Sequence, residues 1–255
     1  MQIKPYSPIG LLILLETMLL YACTADEWIS HPENDMVQLS AAITPLSGST
    51  RAHVGDKGNE SFQVDDKITL FVTPQGEFSS GTLGRTMRLT TEGWSPKLAW
   101  QEIAGEQVTF TAFYPEMSDC NSEIFTHTVA SDQRLTELFA KSDLLAASIE
   151  VGRGNAVSLN FRHWMSLIEL HLTSNTFTPE QLSEAVIHIQ ACPSVQIQTI
   201  PVPEVMQPVE TQVEDIIFHQ GEPNVYHVIL PPQLIQETWR RKWIEIELEG
   251  NTYVY

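Results

Sequence analysis

Apolar and polar residues alternate along much of this sequence, and that period of two constrains the fold more than any other feature. The clearest run is Ile244–Glu249, in which every second side chain is apolar and the others are acidic. Successive side chains of a β-strand point to opposite faces, so this run predicts a strand with one face in a core and one in water. The same alternation recurs at Val37–Ile43, Val108–Tyr114, Ile187–Ile189, Val195–Ile197 and Tyr226–Leu230. The sequence therefore predicts an all-β protein built from sandwiches.

Turn and helix signals separate these strands. Gly250-Asn251 follows the acidic strand and predicts a two-residue hairpin that leads into 252–255. Residues 131–145 predict a short helix or an ordered loop. Thr178-Pro179-Glu180-Gln181 predicts a helix start, with Thr178 as the cap and Gln181 at the capping-box position. Prolines within and just before 199–215 predict an exposed loop there.

Composition excludes some classes of function. The chain has 255 residues, 42% of them hydrophobic, which is ample for a core, and a net charge of −18. No basic stripe is present, so nucleic-acid binding is not expected. Cys120 and Cys192 are far apart and lack zinc-like spacing; they either pair in an oxidising compartment or remain two buried thiols.

The N-terminal segment predicts export and lipidation. The apolar run 9–22 is interrupted by Glu16 and is too short to span a bilayer, which takes about 20 residues. Leu20-Tyr21-Ala22-Cys23 resembles a bacterial lipobox, in which the cysteine is acylated and becomes the new N-terminus. In this interpretation residues 1–22 are a signal peptide, and Cys23 carries the lipid that anchors the protein to the outer membrane at the cell surface. In the other interpretation, the run is a buried helix and the cysteine is incidental.

The sequence contains none of the common motifs for catalysis or metal binding that we considered. No nucleophile elbow, H-E-x-x-H pair or phosphate-binding loop occurs. His163 and His171 share one face of a predicted strand and lie too far apart for one metal ion, so His163 is expected to pack in a core. Asp65-Asp66 is interpreted as a solvated turn rather than a calcium site. We expect no enzyme activity, cofactor or metal.

A set of segments in fixed order resembles the fimbrillin family, the lipoprotein-derived subunits of type V pili and related surface proteins of Gram-negative anaerobes. The segments are TRA (50–52), FQVDDKITLFV (62–72), MRLTTEGWSPKLAWQEIAGEQVTFTAFYP (87–115), SDQRLTELFAKSDLLAA (131–147), VSLNFRHWMSLIELHL (157–172) and VILPPQ (228–233). The resemblance implies two transthyretin-like β-sandwiches in tandem. With a break near Gly152–Asn155, the expected organisation is a signal peptide (1–22), a tether (23–35) and two sandwiches (36–153 and 154–255).

The resemblance also implies a route of assembly. An arginine-specific protease would cut between Arg51 and Ala52, releasing the first strand, and the groove left behind would accept a strand from another fimbrial subunit by β-strand addition. The side chains expected to fill that groove are Val37, Leu39, Ala41 and Ile43. In the other interpretation, Arg51 is an exposed loop residue and the strand stays in place.

Two functions follow from the resemblance. The first is a structural and adhesive subunit of surface fimbriae. The second is a surface lipoprotein that does not polymerise and binds a glycan or a host protein through loops and tryptophans. The chain ends within the second arm of a hairpin, where the family usually continues; the expectation is either a truncated sequence or a strand supplied by a partner.

Overall fold

The computed structural model describes residues 35–45, 61–74, 84–118, 124–199, 213–234 and 243–255, together with the backbone of 204–208. The strands before residue 153 are β1 (Leu39–Ile43), β2 (Lys67–Pro74), β3 (Arg85–Thr90), β4 (Gly93–Ser95), β5 (Gln107–Tyr114), β6 (Ile124–Thr128) and β7 (Leu145–Gly152). Those after it are β8 (Val157–His163), β9 (Ser166–His171), β10 (Val186–Ala191), β11 (Ser194–Gln198), β12 (Glu204–Pro208), β13 (Glu214–Ile217), β14 (His219–Glu222), β15 (Val225–Leu230), β16 (Ile244–Leu248) and β17 (Asn251–Val254). Short helices lie at Trp100–Glu102 (3₁₀), α1 (Thr136–Ser142) and α2 (Pro179–Leu182).

The largest sheet has the strand order β1-β8-β7-β5-β2-β3-β4. Its β1–β8 pair is parallel, and its other neighbours are antiparallel. The described strands also form three smaller antiparallel sheets, β13-β10-β16-β17, β12-β11-β6 and β14-β15-β9. The expected all-β class is confirmed.

Two clusters of buried apolar side chains hold these sheets together. Leu70 and Phe71 are neighbours on β2 and point to opposite faces of the large sheet, so they enter different clusters. Leu70 packs with Phe110 on one face, whereas Phe71 packs with Phe113 and with side chains of the smaller sheets on the other. Each of these four side chains is at most 1% exposed. Burying one such side chain stabilises the fold by about 1.5–3 kcal/mol.

The central strand β5 is buried on both faces in its middle part, unlike a strand with one face in water. Its alternation predicts one wet face, yet Thr111 and Phe113 are buried as fully as Phe110 and Ala112. The reason is its position: β2 and β7 flank it, one core cluster covers one face, and the other cluster covers Phe113. Periodicity reports the two faces but not what each of them meets.

Helix and loop predictions gave mixed results. The capping box of α2 is confirmed, with the Thr178 side chain accepting from Gln181 N–H and the Gln181 side chain accepting from Thr178 N–H. α1 lies inside 131–145 as expected. The loop expected at 199–215 is wrong in part, because β12 and the start of β13 lie within it. β12 pairs with β11, so a sheet satisfies the main-chain groups on that side of it.

The predicted C-terminal hairpin is present, with its turn one residue earlier than expected. Leu248 pairs with Asn251, so the two loop residues are Glu249 and Gly250. Both have positive φ, 48° and 76° respectively. Two consecutive residues with positive φ are typical of a type I′ turn, whose twist matches that of the flanking strands.

Residues Met36–Tyr255 form one compact unit. Strands from before residue 153 pair with strands from after it: β1 pairs with β8, and β6 pairs with β11. The division into 36–153 and 154–255 stays a prediction. No helix in the described ranges has the length and apolar character needed to cross a bilayer.

Candidate subunit interface

Strand β1 lies at one edge of the seven-stranded sheet and runs parallel to β8. The register pairs Leu39 with Val157 and Ile43 with Phe161. Hydrogen bonds extend the ladder at both ends. Val157 N–H donates to the carbonyl of Gln38 at 2.9 Å, and Thr44 N–H donates to the carbonyl of Phe161 at 2.8 Å. β1 is therefore attached along its whole length to one neighbour.

Side chains alternate between the core and the solvent along residues 37–44, which comprise β1 and the residues that flank it. Val37 and Ile43 are 5% and 9% exposed and belong to the core cluster on that face of the sheet. Leu39 and Ala41 are half-buried and pack against the same cluster. The intervening residues Gln38, Ser40, Ala42 and Thr44 are exposed. This segment thus places two apolar side chains in the core cluster and two more against it, beside Val157, Leu159 and Phe161 of β8.

The outer edge of β1 faces no other strand within the described ranges. Gln38 and Thr44 direct their main-chain groups at β8, and alternate residues direct theirs to the other edge. Val37 belongs to that second set, and its N–H donates to the carbonyl of Leu98 at 2.8 Å. From Leu39 to Ile43, β8 is the only pairing strand in the described part of the chain. An edge of this kind can template pairing with another chain.

Strand β17 forms a different edge. It pairs antiparallel with β16, and the ladder continues through Tyr255, whose N–H donates to the carbonyl of Ile244 at 2.9 Å. Every β17 side chain is exposed, with Tyr253 at 39% and Val254 at 45%. The ring of Tyr253 meets Phe177 edge-on at 6.3 Å between centroids. β17 therefore adds main-chain pairing and surface rather than core.

The residues predicted to be chemically processed lie elsewhere. Cys23, Arg51 and Ala52 are outside the described residues, so lipidation and cleavage stay predictions. Exchange of β1 between subunits also stays a prediction. Within the described ranges, no group of three or more His, Cys, Asp or Glu side chains is arranged to hold a metal ion.

The structure does not decide whether Cys120 and Cys192 form a disulfide or remain two thiols. Cys192 is 1% exposed, and the Gln233 side chain brackets its backbone. Cys192 N–H donates to Gln233 Oε1 at 2.8 Å, and Gln233 Nε2 donates to the carbonyl of Cys192 at 3.1 Å. Cys120 lies outside the described residues. Pairing of the two thiols therefore stays a prediction.

The prediction that one strand carries both His163 and His171 is wrong, because the two residues lie on separate strands, β8 and β9. His163 Nδ1 lies 2.8 Å from Asp143 Oδ2, and the two side chains are 5% and 4% exposed. This agrees with His163 packed in a core with a partner for its ring nitrogen. Sequence reasoning missed Asp143. Its only signal in the sequence was a charged residue directly before the apolar pair Leu144-Leu145, at the end of the segment expected to be helical.

The Asp65-Asp66 pair forms a turn, as interpreted from the sequence. Asp65 has a φ of 83°, and the Asp66 carboxylate accepts from Gln63 N–H at 2.7 Å and from the Tyr114 hydroxyl at 3.1 Å. Burial and the nearby Asp66 carboxylate raise the pKa of Tyr114. Both aspartates therefore serve the local structure of the sheet.

Comparison with known proteins shows which family and which solved structures this chain is similar to. The sequence profile of the fimbrillin-like family matches residues 50–255. A solved structure from Bacteroides ovatus, described as a cell adhesion protein, superposes with a TM-score of 0.61 at 18% identity, covering 86% of this chain and 85% of that chain. One from Bacteroides uniformis, also described as a cell adhesion protein, gives 0.60 at 15% identity, covering 87% and 85%.

No match was found among curated proteins. At these identities the two structures show a shared fold, and the family match carries the assignment. It agrees with the resemblance noted in the sequence and with a structural protein rather than an enzyme. The chain belongs to the fimbrillin-like family.

Proposed function

We propose that this chain is a structural and adhesive subunit of surface fimbriae, exported as a lipoprotein on Cys23 and joined to its neighbours by exchange of β1. Family membership supports the fimbrial and cell-surface part of this proposal. The adhesive part draws on the two Bacteroides proteins of the same fold, which are described as cell adhesion proteins.

The observation that carries the exchange step is the position of β1. It is the edge strand of its sheet, is short, and fills the core with alternate side chains. Removing it would uncover an apolar strip beside β8, and each larger side chain placed there contributes about 1.5–3 kcal/mol. A strand from a second subunit could occupy the same strip with main-chain bonds for affinity and alternate side chains for specificity.

The direction of β1 favours replacement. Parallel pairing is slightly less stable per residue than antiparallel pairing. Since β1 runs parallel to β8, an incoming antiparallel strand with similar side chains would form the better ladder. Exchange would then be favourable once the connection between β1 and the rest of the chain has been cut, and Arg51 lies in that connection.

The second candidate keeps β1 in place, in a surface lipoprotein that binds its ligand as a monomer. One observation favours it: Val37 and Ile43 are already buried in the core cluster of the unprocessed chain, and Leu39 and Ala41 pack against that cluster. The two candidates differ in the N-terminus of the native protein and in its assembly state.

The test is intact mass and N-terminal mapping of the native protein from the cell surface, combined with electrophoresis in SDS without heating. We expect a start at Ala52 and a ladder of SDS-resistant oligomers. Arg51→Gln should leave Cys23 as the N-terminus and abolish the ladder, whereas Lys57→Gln, a matched change in the same segment, should alter neither. A native start at lipidated Cys23 in a monomer would reject strand exchange and favour the second candidate.

A further inference from the structure

A polar groove lies along the β7–β8 hairpin. Its polar side chains are on the face of the large sheet opposite the cluster that contains Leu70 and Phe110. Its volume is about 360 Å³, and residues of both strands line it, including Ser148, Ser158, Asn160, Arg162 and Trp164. This falls within the range of small-molecule sites, about 300–1,000 Å³. A second cavity, beside Trp243, measures about 170 Å³ and lies below that range.

The groove lies where the β7–β8 ladder is interrupted, and it is polar because Ser148, Ser158, Asn160 and Arg162 line it. Pairing between the two strands is confined to Leu145–His163 and Ala146–Arg162. Beyond those pairs β7 continues along β5 and β8 continues along β1. The hydroxyls at the groove edges are held by cross-strand contacts, Ser148 with Thr111 and Ser158 with Ser40, each at 3.1 Å. Hydrogen-bonding groups therefore face solvent along the opening.

The cation in this groove is unusual for so acidic a chain. Within the described residues, the exposed guanidinium of Arg162 has no hydrogen-bond or ion-pair partner. The other described lysines and arginines do: Lys67 with Glu116, Arg85 with Glu102, Arg88 with Asp65, Arg134 with Asp132, Lys141 with Glu137, and Lys97 and Arg153 with main-chain carbonyls. With a net charge of −18, an unpaired arginine indicates a ligand that brings its own negative charge.

The neighbours of Arg162 fit a sugar ring. Asn160 lies two residues away on the same face of β8, about 6.6 Å at 3.3 Å per residue, and its amide both donates and accepts. Trp164 continues the row and is half-buried, with its ring edge-on to Phe113 at 5.9 Å. An indole beside an amide and a guanidinium offers an apolar face and directional polar groups together.

We infer that this groove binds an acidic saccharide, with the carboxylate or sulfate on Arg162, the ring hydroxyls on Asn160, Ser148 and Ser158, and one ring face toward Trp164. The inference deepens the adhesive part of the proposed function and rests on it. Glu150 lies farther along β7, so the acidic group should sit at the Arg162 end.

The test is titration of the full, unpolymerised chain by calorimetry and tryptophan fluorescence. The probes are sialyllactose, a galacturonate trisaccharide and a sulfated heparin disaccharide, with lactose as the neutral counterpart of the first. We expect at least one acidic probe to bind about tenfold more tightly than lactose, because an arginine–carboxylate or arginine–sulfate contact is charge-assisted. The three acidic probes distinguish sialic, uronic and sulfated sources.

Variants locate the site. Arg162→Gln and Asn160→Asp should each weaken binding about tenfold, whereas Arg134→Gln, the same change at an exposed arginine outside the groove, should leave the Kd unchanged. Unaltered binding by Arg162→Gln, equal affinity for lactose, absence of binding by all acidic saccharides, or tighter binding of a polyglutamate peptide would each overturn the inference. Because the assay uses uncut monomer, none of these outcomes bears on strand exchange.

Discussion

Two of the edge strands in the described sheets, β1 and β17, have opposite designs. β1 is parallel to its neighbour and sets four apolar side chains into the core, whereas β17 is antiparallel and every one of its side chains is exposed. Removing β1 would open a groove, and removing β17 would mainly expose the edge of β16. The comparison teaches that an edge strand with a single parallel neighbour can still contribute side chains to the core, as the proposed strand exchange requires.

The largest expected difference comes from one truncation on each edge. Ile43→Ala removes a side chain that is 9% exposed and should lower the free energy of unfolding by about 2–4 kcal/mol, through lost burial and a cavity. Val254→Ala removes a side chain that is 45% exposed and should change it by less than about 0.5 kcal/mol. Urea denaturation of the full chain measures both. Equal costs at the two positions would contradict the opposite designs.

A third edge strand, β6, extends the comparison to pH. His127 on β6 is 9% exposed, and its Nε2 lies 2.9 Å from the carbonyl of Ser142. Burial lowers the pKa of His127 below 6.5, although the Ser142 carbonyl and Asp143 oppose the shift. The unfolded chain then binds the proton more readily, so stability is full above about pH 6.5 and is lost as pH falls toward the folded pKa, by at most about 1.4 kcal/mol per unit.

Denaturation midpoints between pH 7.5 and 5 measure this slope. His127→Gln keeps a donor for the Ser142 carbonyl without a titrating ring and should flatten the slope. Thr126→Ala, at an exposed neighbour on the same strand, should leave it as in the parent. A slope that His127→Gln does not reduce would place the acid sensitivity in other groups.

The turn that carries β17 gives a smaller effect. Gly250 has a φ of 76°, and a Cβ added there would meet nothing within 4 Å, so Gly250→Ala incurs only backbone strain. That strain is about 1–2 kcal/mol. Gly154→Ala, at a φ of 84° in the β7–β8 turn and equally open, should cost a similar amount. Hydrogen exchange should separate them, since only the first substitution should speed exchange of the β17 amides.

Much of this architecture could be predicted from period-two patterning. The all-β class, the inward set of β1 and the C-terminal hairpin follow from side-chain alternation and turn residues. The sheet order could not, because β1–β8 joins residues 118 positions apart, as Leu39 and Val157 do, and local sequence carries no signal for such a pair. Arg162, which has no partner among the described residues, was missed for a related reason: the sequence does not show which carboxylates lie near it in the fold.

The position of the β16–β17 turn was also missed, by one residue, and that error suggests the gentlest test of the comparison. Gly250-Asn251 was the expected loop because Gly and Asn tolerate positive φ, whereas the structure places Glu249, at φ 48°, in the first loop position. Type I′ turns prefer Asn-Gly, so Glu249→Asn should stabilise the hairpin by about 0.5 kcal/mol and slow exchange of the β17 amides, because the turn preference outweighs loss of the exposed hydrogen bond that Gln181 Nε2 donates to Glu249 Oε1.

Glu247→Asn is the matched control, since it makes the same change in a strand residue of the same hairpin and should not stabilise it. The Glu249→Asn substitution should leave exchange of the β1 amides unchanged, because the two edges lie in different sheets. If β1 were protected as well, the edges would be coupled, and β1 could not be treated as a strand that leaves its sheet independently.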